Sequence, residues 1–105
     1  MDIKLGKEYL STYKILGTKI NRLKEMRSIN PENSAEYDAK INECKRQRDR
    51  LEAEIENIDG GLLSEIAALK YICGKTLEEI SLIIGYCKRQ TERLHLKAIE
   101  KLSIA

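Results

Sequence analysis

The sequence predicts an all-α protein, and two observations support that prediction. Of its 105 residues 34% are charged and 5% aromatic, with one Pro and neither Trp nor Phe, a composition typical of helical proteins. Apolar residues also recur at alternating steps of four and three, the spacing that places side chains on one face of a helix. One or two small helical domains are the most that this length allows.

Two such stripes predict long helices in residues 1–59. The first comprises Leu5, Tyr9, Tyr13, Leu16, Ile20 and Leu23. The second comprises Tyr37, Ile41, Cys44, Leu51, Ile55 and Ile58, with Arg48 at one of its core positions. Pro31 lies in a polar stretch between them and disfavours a helical conformation at Asn30, so the first helix is expected to end there.

The two stripes align without slippage when the helices run antiparallel, because the facing position numbers all add up to 64. Residues 1–30 carry seven basic and three acidic side chains, whereas residues 31–60 carry five basic and nine acidic ones, so the segments attract each other. We predict an N-terminal antiparallel helical hairpin, a coiled coil over residues 1–59. A hairpin buries little surface by itself, so we expect a homodimer through a second apolar edge at Ile15 and Met26.

Three shorter helices are predicted in residues 60–105. Gly60 and Gly61 interrupt the helical pattern, and Leu63, Ile66 and Leu69 then mark a helix that ends near Gly74. Thr76 and Glu79 form a capping-box pattern that begins a fourth helix, which stops at Gly85. A fifth helix follows Cys87, with an inner stripe at Thr91, Leu94, Ala98 and Leu102.

A short capped helix, a glycine, a short link and a basic helix are the parts of a helix-turn-helix. Ser81 is small where the two helices approach, Gly85 suits a left-handed turn, and Tyr86 is expected to fill the angle between the helices. The first turns of the second helix enter the major groove in this motif. The predicted DNA-binding residues are Lys75, Thr76, Lys88, Arg89, Gln90, Glu92, Arg93 and Lys97.

The residue types suit both parts of DNA recognition. Arg89 and Arg93 can pair with guanine, Gln90 with adenine, and Glu92 can accept a hydrogen bond from a cytosine amino group. Lys75 and the amide ends of the helices can hold phosphates. The sequence therefore predicts binding to double-stranded DNA.

Residues 69 to 102, "LKYICGKTLEEISLIIGYCKRQTERLHLKAIEKL", resemble region four of bacterial sigma factors. Together with "KEYLSTYKIL" near the start, the resemblance extends over most of the chain to small sigma-like proteins of phages and prophages. These are similar to ArpU-type and RinA-type late-gene regulators. The resemblance implies transcription control, with contact with RNA polymerase as a further possibility. The odd number and irregular spacing of the cysteines predict the bacterial cytoplasm.

The resemblance also carries site residues onto matching positions. It implies base and phosphate contacts by Lys88, Arg89, Gln90, Glu92 and Arg93, and backbone contacts by Lys75 and Thr76. Four positions depart from the family pattern, namely Leu77, Ser81, Cys87 and Thr91. Cys is a weaker N-cap than Ser, and Thr buries a hydroxyl where the family has a methyl group, so the second helix is expected to be held less firmly.

Other classes of function find little support. No phosphate-binding glycine loop, nucleophile motif or paired carboxylates appear, so we expect no enzymatic activity, catalytic residue or cofactor. Three cysteines and His95 lack the spacing of a zinc site, and neither disulfides nor a membrane span are expected. Two alternatives stay open: a DNA-packaging recognition subunit like the small terminase subunits of phages, and a coiled-coil adaptor that binds RNA polymerase without reading DNA.

Overall fold

Five α-helices make up the described part of the chain, which confirms the predicted all-α class. A computed structural model describes residues 2–102, so residues 103–105 of the predicted C-terminal unit lie outside the described part. The helices are α1 (Ile3–Ile29), α2 (Ser34–Glu56), α3 (Gly61–Tyr71), α4 (Leu77–Ile84) and α5 (Lys88–Glu100). A 3-10 turn, Pro31–Asn33, connects α1 to α2 at the predicted proline.

Side-chain contacts at both ends show that α1 and α2 pack antiparallel. Near the connecting turn, Arg27 Nη1 lies 2.5 Å from Asp38 Oδ1. At the other end, the Tyr9 hydroxyl donates a 2.5 Å hydrogen bond to Glu54 Oε2. Between the helices lie buried apolar residues of both stripes, namely Leu16, Ile20, Leu23, Ile41, Cys44, Leu51 and Ile55.

The predicted stripe of α1 is wrong at its first position. Leu5 is 58% exposed, whereas Leu10, which the stripe leaves out, is fully buried. The N-terminal half of α1 packs against α3 and α5 in addition to α2. The face of α1 that is buried at this end therefore differs from the face that carries the hairpin stripe. Gly6, one turn before Leu10, is also buried on this face.

Backbone signals define the ends of the shorter helices. Gly60 precedes α3 with φ +107°, and the Ser64 hydroxyl donates a 2.9 Å hydrogen bond to the Ile55 carbonyl, which joins the start of α3 to the end of α2. After α3, Gly74 has φ +72°, and the Lys75 amide donates to the Leu69 carbonyl. Gly74 thus lies in the left-handed region just beyond α3, which itself ends at Tyr71 with Ile72 as its C-cap.

One cluster of buried side chains runs through both parts of the chain. It joins α1 and α2 residues such as Leu10 and Ile55 to Leu63 of α3 and to Ala98 and Ile99 of α5. The predicted boundary at residue 60 stays a prediction, since the two segments share this core. Among the described residues, no helix is long and apolar enough to cross a bilayer.

Candidate nucleic-acid interface

Side-chain hydrogen bonds hold the start of α4 and the start of α5. The Glu79 amide donates to Thr76 Oγ1, and the Thr76 amide donates to Glu79 Oε1, both at 3.1 Å, which confirms the predicted capping box. Hydrogen bonding from Thr76, through its amide first and then its side chain, lowers the pKa of Glu79. Gly85 ends α4 in the left-handed region, with φ +76°. A capped start and a glycine stop together limit α4 to eight residues.

Two side chains that depart from the family pattern support the start of α5. Cys87 Sγ accepts a hydrogen bond from the Gln90 amide at 3.4 Å, so the thiol occupies the N-cap position. The Thr91 hydroxyl, fully buried, donates to the Cys87 carbonyl at 2.9 Å. The buried hydroxyl of Thr91 therefore has a partner, and the expectation that the second helix is held less firmly stays a prediction.

The inner and outer faces of α5 differ sharply. Thr91, His95, Ala98 and Ile99 are buried on the inner face. The outer face is polar and exposed, with Lys88, Arg89, Gln90, Glu92, Arg93 and Lys97. This arrangement leaves these six predicted DNA-binding side chains accessible from solvent along one helix.

The remaining two predicted residues, Lys75 and Thr76, lie in the connection between α3 and α4 and are also exposed. Thr76 already uses its amide and one lone pair of its hydroxyl oxygen within the capping box. Only the hydroxyl hydrogen is then left to donate to a phosphate, so Thr76 can supply one hydrogen bond at most through its own groups. Lys75 keeps all three donors of its ammonium group.

Tyr86 does not fill the angle between the helices, and that prediction is wrong. Its side chain is 45% exposed, whereas Ile80 and Ser81 are the buried residues of α4. Leu82, 81% exposed, and Ile83 also face solvent on α4. Leu82, Ile83 and Tyr86 are therefore three exposed apolar side chains close together in the sequence before α5.

A concave surface that the sequence did not predict lies next to the start of α5. This surface, which we call the basic cleft, has a volume of about 690 Å³. Five lysines and two glutamates line it, from four helices and the connection between α3 and α4: Lys7, Lys14, Lys70, Lys75, Lys88, Glu78 and Glu92. Lys7, Lys14 and Lys70 escaped sequence reasoning because they belong to other helices, and no periodic or local pattern connects them to α5.

A buried hydrogen-bonded pair lies at the base of this cleft. The Tyr71 hydroxyl and His95 Nε2 are 2.7 Å apart, and His95 is only 2% exposed. Burial, followed by repulsion from Lys70 and Lys7, lowers the pKa of His95 to about 4. Burial also raises the pKa of Tyr71 to about 12, so both groups are neutral at pH 7. The Tyr71 hydroxyl and the neutral imidazole share one hydrogen bond, whose donor is set by the imidazole tautomer.

Within residues 2–102, no three or more His, Cys, Asp or Glu side chains are grouped so that they could hold a metal ion. Cys44 is buried, Cys73 and Cys87 are exposed, and all three are free thiols. Comparison of the chain with protein-family models, curated proteins and solved structures gave no match. The sigma-like resemblance and the site residues carried over from it therefore stay predictions.

Proposed function

We propose that this protein is a sequence-specific DNA-binding regulator of transcription, of the sigma-like type found in phages and prophages. In this proposal α4 and α5 form the helix-turn-helix, and α5 lies in the major groove. The protein binds DNA and catalyses no reaction. It requires no cofactor.

One observation carries the proposal: the first turns of α5 present a polar, basic face to solvent from a corner whose backbone is fixed. The capping box and Gly85 set the length of α4, and the Cys87 cap sets the start of α5. The inner residues of α5 are buried, so the helix cannot turn about its axis to hide Arg89 or Arg93. A rigid helix with exposed Arg and Gln side chains suits reading of base edges.

The proposed mechanism separates attraction from selection. Lys75, Lys88 and Lys97 attract phosphates in a salt-dependent way, while the Thr76 hydroxyl donates to the backbone. Arg89 and Arg93 pair with guanines, Gln90 with adenine, and Glu92 accepts from a cytosine amino group or orients a neighbouring arginine. Phosphate contacts fix the position of α5, and the base contacts give sequence preference.

The test begins with selection of bound fragments from random DNA by the purified protein. Affinities of the selected duplex and a scrambled duplex are then compared for the wild type and for Arg89→Ala and Arg93→Ala. Each substitution is expected to cost about 1 to 3 kcal/mol on the selected duplex and to reduce sequence preference. The exposed Arg46, on α2, provides a matched control, since Arg46→Ala removes the same charge away from α5.

Three results would contradict the proposal. Equal affinity of the wild type for all duplexes would exclude sequence-specific reading. Binding to RNA polymerase without any duplex binding would favour the adaptor function. Ring-sized assemblies in solution, with preference for a packaging site, would favour the DNA-packaging subunit.

The proposal includes a homodimer formed through α1 and α2, which places two copies of α5 on one duplex. Ile15 supports it, because this side chain is 64% exposed on a long helix and borders an apolar recess. Light scattering across the micromolar range is expected to give the dimer mass, and Ile15→Glu to give the monomer mass. A wild-type monomer throughout this range would refute the dimer and leave the DNA-binding proposal to its own test.

A further inference from the structure

The basic cleft is continuous with the exposed face of α5. Lys88 and Glu92 belong to both surfaces, since they lie in the first turns of α5 and also line the cleft. From there the cleft extends past Lys75 to Lys70 and on to Lys7 and Lys14 of α1. A ligand held along α5 can therefore reach lysines of α3 and α1 through the same cleft.

The ammonium groups in the cleft outnumber the carboxylates that line it. Five lysines face two glutamates there, and among the described residues none of the five ammonium groups lies within 4.0 Å of a carboxylate. Repulsion from Lys7 and Lys70 contributes to the low pKa of His95, so ammonium groups from α1 and α3 act on the same imidazole ring. Like charges gathered in a concave surface focus a positive potential, which attracts a polyanion.

The exposure of most of these lysines suits contacts with phosphate oxygens. Lys7, Lys14, Lys75 and Lys88 are exposed, so each ammonium group can move to meet an oxygen. Lys70 is held more firmly, with Nζ 5.8 Å from the centre of the Tyr71 ring. Lysine recognises phosphate as a point charge rather than by a fixed fork geometry, and such contacts position a duplex without reading its sequence.

We infer that the basic cleft binds the phosphodiester backbone of the same duplex that α5 reads, with Lys7 and Lys14 of α1 as phosphate contacts. This inference rests on the proposed function and extends it. The helix pair α1 and α2 then takes a direct part in DNA binding and fixes the angle at which α5 enters the groove. The cleft contributes affinity and salt dependence, and α5 contributes sequence preference.

The experiment compares two doubly substituted proteins that lose the same charge. Lys7→Gln/Lys14→Gln removes two ammonium groups from the cleft, whereas Lys24→Gln/Lys45→Gln removes two exposed ones from elsewhere on α1 and α2. Affinity for the selected duplex and for the scrambled duplex is measured between 50 and 200 mM salt, conditions in which phosphate contacts dominate the salt dependence. Lys7 and Lys14 accept hydrogen bonds only through their backbone carbonyls, so the substitutions leave those bonds intact.

For Lys7→Gln/Lys14→Gln we expect the negative slope of log affinity against log salt to become less steep by about 2, one unit for each lost phosphate contact. The loss of affinity is expected to be equal on the selected and the scrambled duplex. The control double variant is expected to keep the wild-type slope. Lys7→Arg/Lys14→Arg, which keeps both charges, is expected to restore the slope. This last result separates loss of charge from damage to the fold.

An unchanged slope in Lys7→Gln/Lys14→Gln, with duplex binding retained, would overturn the cleft assignment alone. Failure of the wild type to bind any duplex would overturn the proposed function and this inference with it. Calorimetry with inorganic tripolyphosphate provides a further outcome. If tripolyphosphate binds the wild type but not the double variant, while duplex affinity stays the same in both, the cleft is a site for a small anion and the inference is wrong.

Discussion

The helix pair α1 and α2 and the C-terminal helices α3 to α5 are stabilised in different ways. The pair relies on contacts between residues far apart in the sequence: an apolar stripe, the Tyr9 and Tyr13 hydroxyls bonded to Glu54 and Glu52, and an ion pair near the turn. The C-terminal helices have 8 to 13 residues, and besides the shared core they have side-chain caps on α4 and α5 and left-handed glycines that act within a few residues. Long-range periodicity thus determines the first region, and local backbone chemistry determines the second.

The difference also concerns charge. At the edges of the helix pair, tyrosine hydroxyls satisfy partly buried carboxylates, and burial followed by the hydrogen bond to Glu54 raises the pKa of Tyr9 to about 12. In the C-terminal region the outer face of α5 keeps its charges in solvent. Charged groups therefore stabilise contacts between α1 and α2, whereas those of α5 stay available for a partner.

The strongest test of this difference in stabilisation is whether the two regions unfold separately. Leu10 lies on α1 but belongs to the core cluster that includes Ala98 and Ile99 of α5. Because it is fully buried, Leu10→Ala is expected to lower the free energy of unfolding by about 2 to 5 kcal/mol. Urea unfolding, followed by circular dichroism, is expected to show a single transition that moves to lower urea.

Leu5→Ala is the matched control, since it removes the same atoms from an exposed position of the same helix. We expect it to change stability by less than about 0.5 kcal/mol. If both substitutions lower the free energy of unfolding equally, the predicted stripe with Leu5 in the core would be correct. A second transition that leaves α3 to α5 folded would show that the regions have independent cores.

His95 provides the next largest effect, because its burial between α3 and the cleft lowers its pKa to about 4. The unfolded chain takes up this proton near pH 6.5, so between pH 6.5 and 4 the unfolded state binds more protons than the folded one. Stability is therefore fully present above about pH 6.5 and is lost as the pH falls toward 4. After allowance for solvent screening, the loss from this group is expected to be about 1 to 3 kcal/mol.

Carboxylates also titrate in this range, so the His95 contribution is the difference between the wild type and His95→Gln. Gln keeps an acceptor for the Tyr71 hydroxyl but has no proton to take up. Unfolding free energies measured from pH 4 to 7 are expected to give a shallower slope for His95→Gln. Equal slopes of unfolding free energy against pH for the wild type and His95→Gln would mean that His95 has the same pKa in the folded and unfolded states.

A pair of glycine substitutions sharpens the claim that backbone chemistry determines the C-terminal region. Gly85 has φ +76° and no heavy atom within 4 Å of the position of an added Cβ, so Gly85→Ala is expected to cost about 1 to 2 kcal/mol through backbone strain alone. Gly17, inside α1, also has no heavy atom near that position. Gly17→Ala is expected to raise stability by about 0.5 to 1 kcal/mol, since Ala favours the helix. Thermal unfolding of both variants checks the opposite signs.

Sequence reasoning predicted the helices well, because the signals that define them are periodic or local. The stripes give the two long helices, and Thr76, Glu79 and Gly85 give α4 with its bounds. It failed where the outcome depends on packing between distant segments. Leu5 follows the spacing of its stripe, yet α3 and α5 cover another face of α1 at that end.

The same limit applies to the candidate site. The polar face of α5 follows from its inner stripe, so its exposure was predictable from spacing. The basic cleft was not, because Lys7, Lys14 and Lys70 come together only when α1 packs beside α5 and the end of α3. Tyr86 was misplaced for a related reason, since the direction of a side chain after a left-handed glycine depends on the turn and not on the helical period.

Cys87 gives the smallest expected effect and tests the local cap at the start of α5. Its sulfur accepts a hydrogen bond from the Gln90 amide at 3.4 Å, which is longer and weaker than the bond that a serine oxygen would make. Cys87→Ser is therefore expected to raise stability by about 0.5 kcal/mol, measured by thermal unfolding. Affinity for the selected duplex is expected to be equal under oxidising and reducing conditions, in both the wild type and the variant. If oxidation weakens binding by the wild type but not by Cys87→Ser, the thiol acts as a redox switch on DNA binding, and its role at this position goes beyond capping α5.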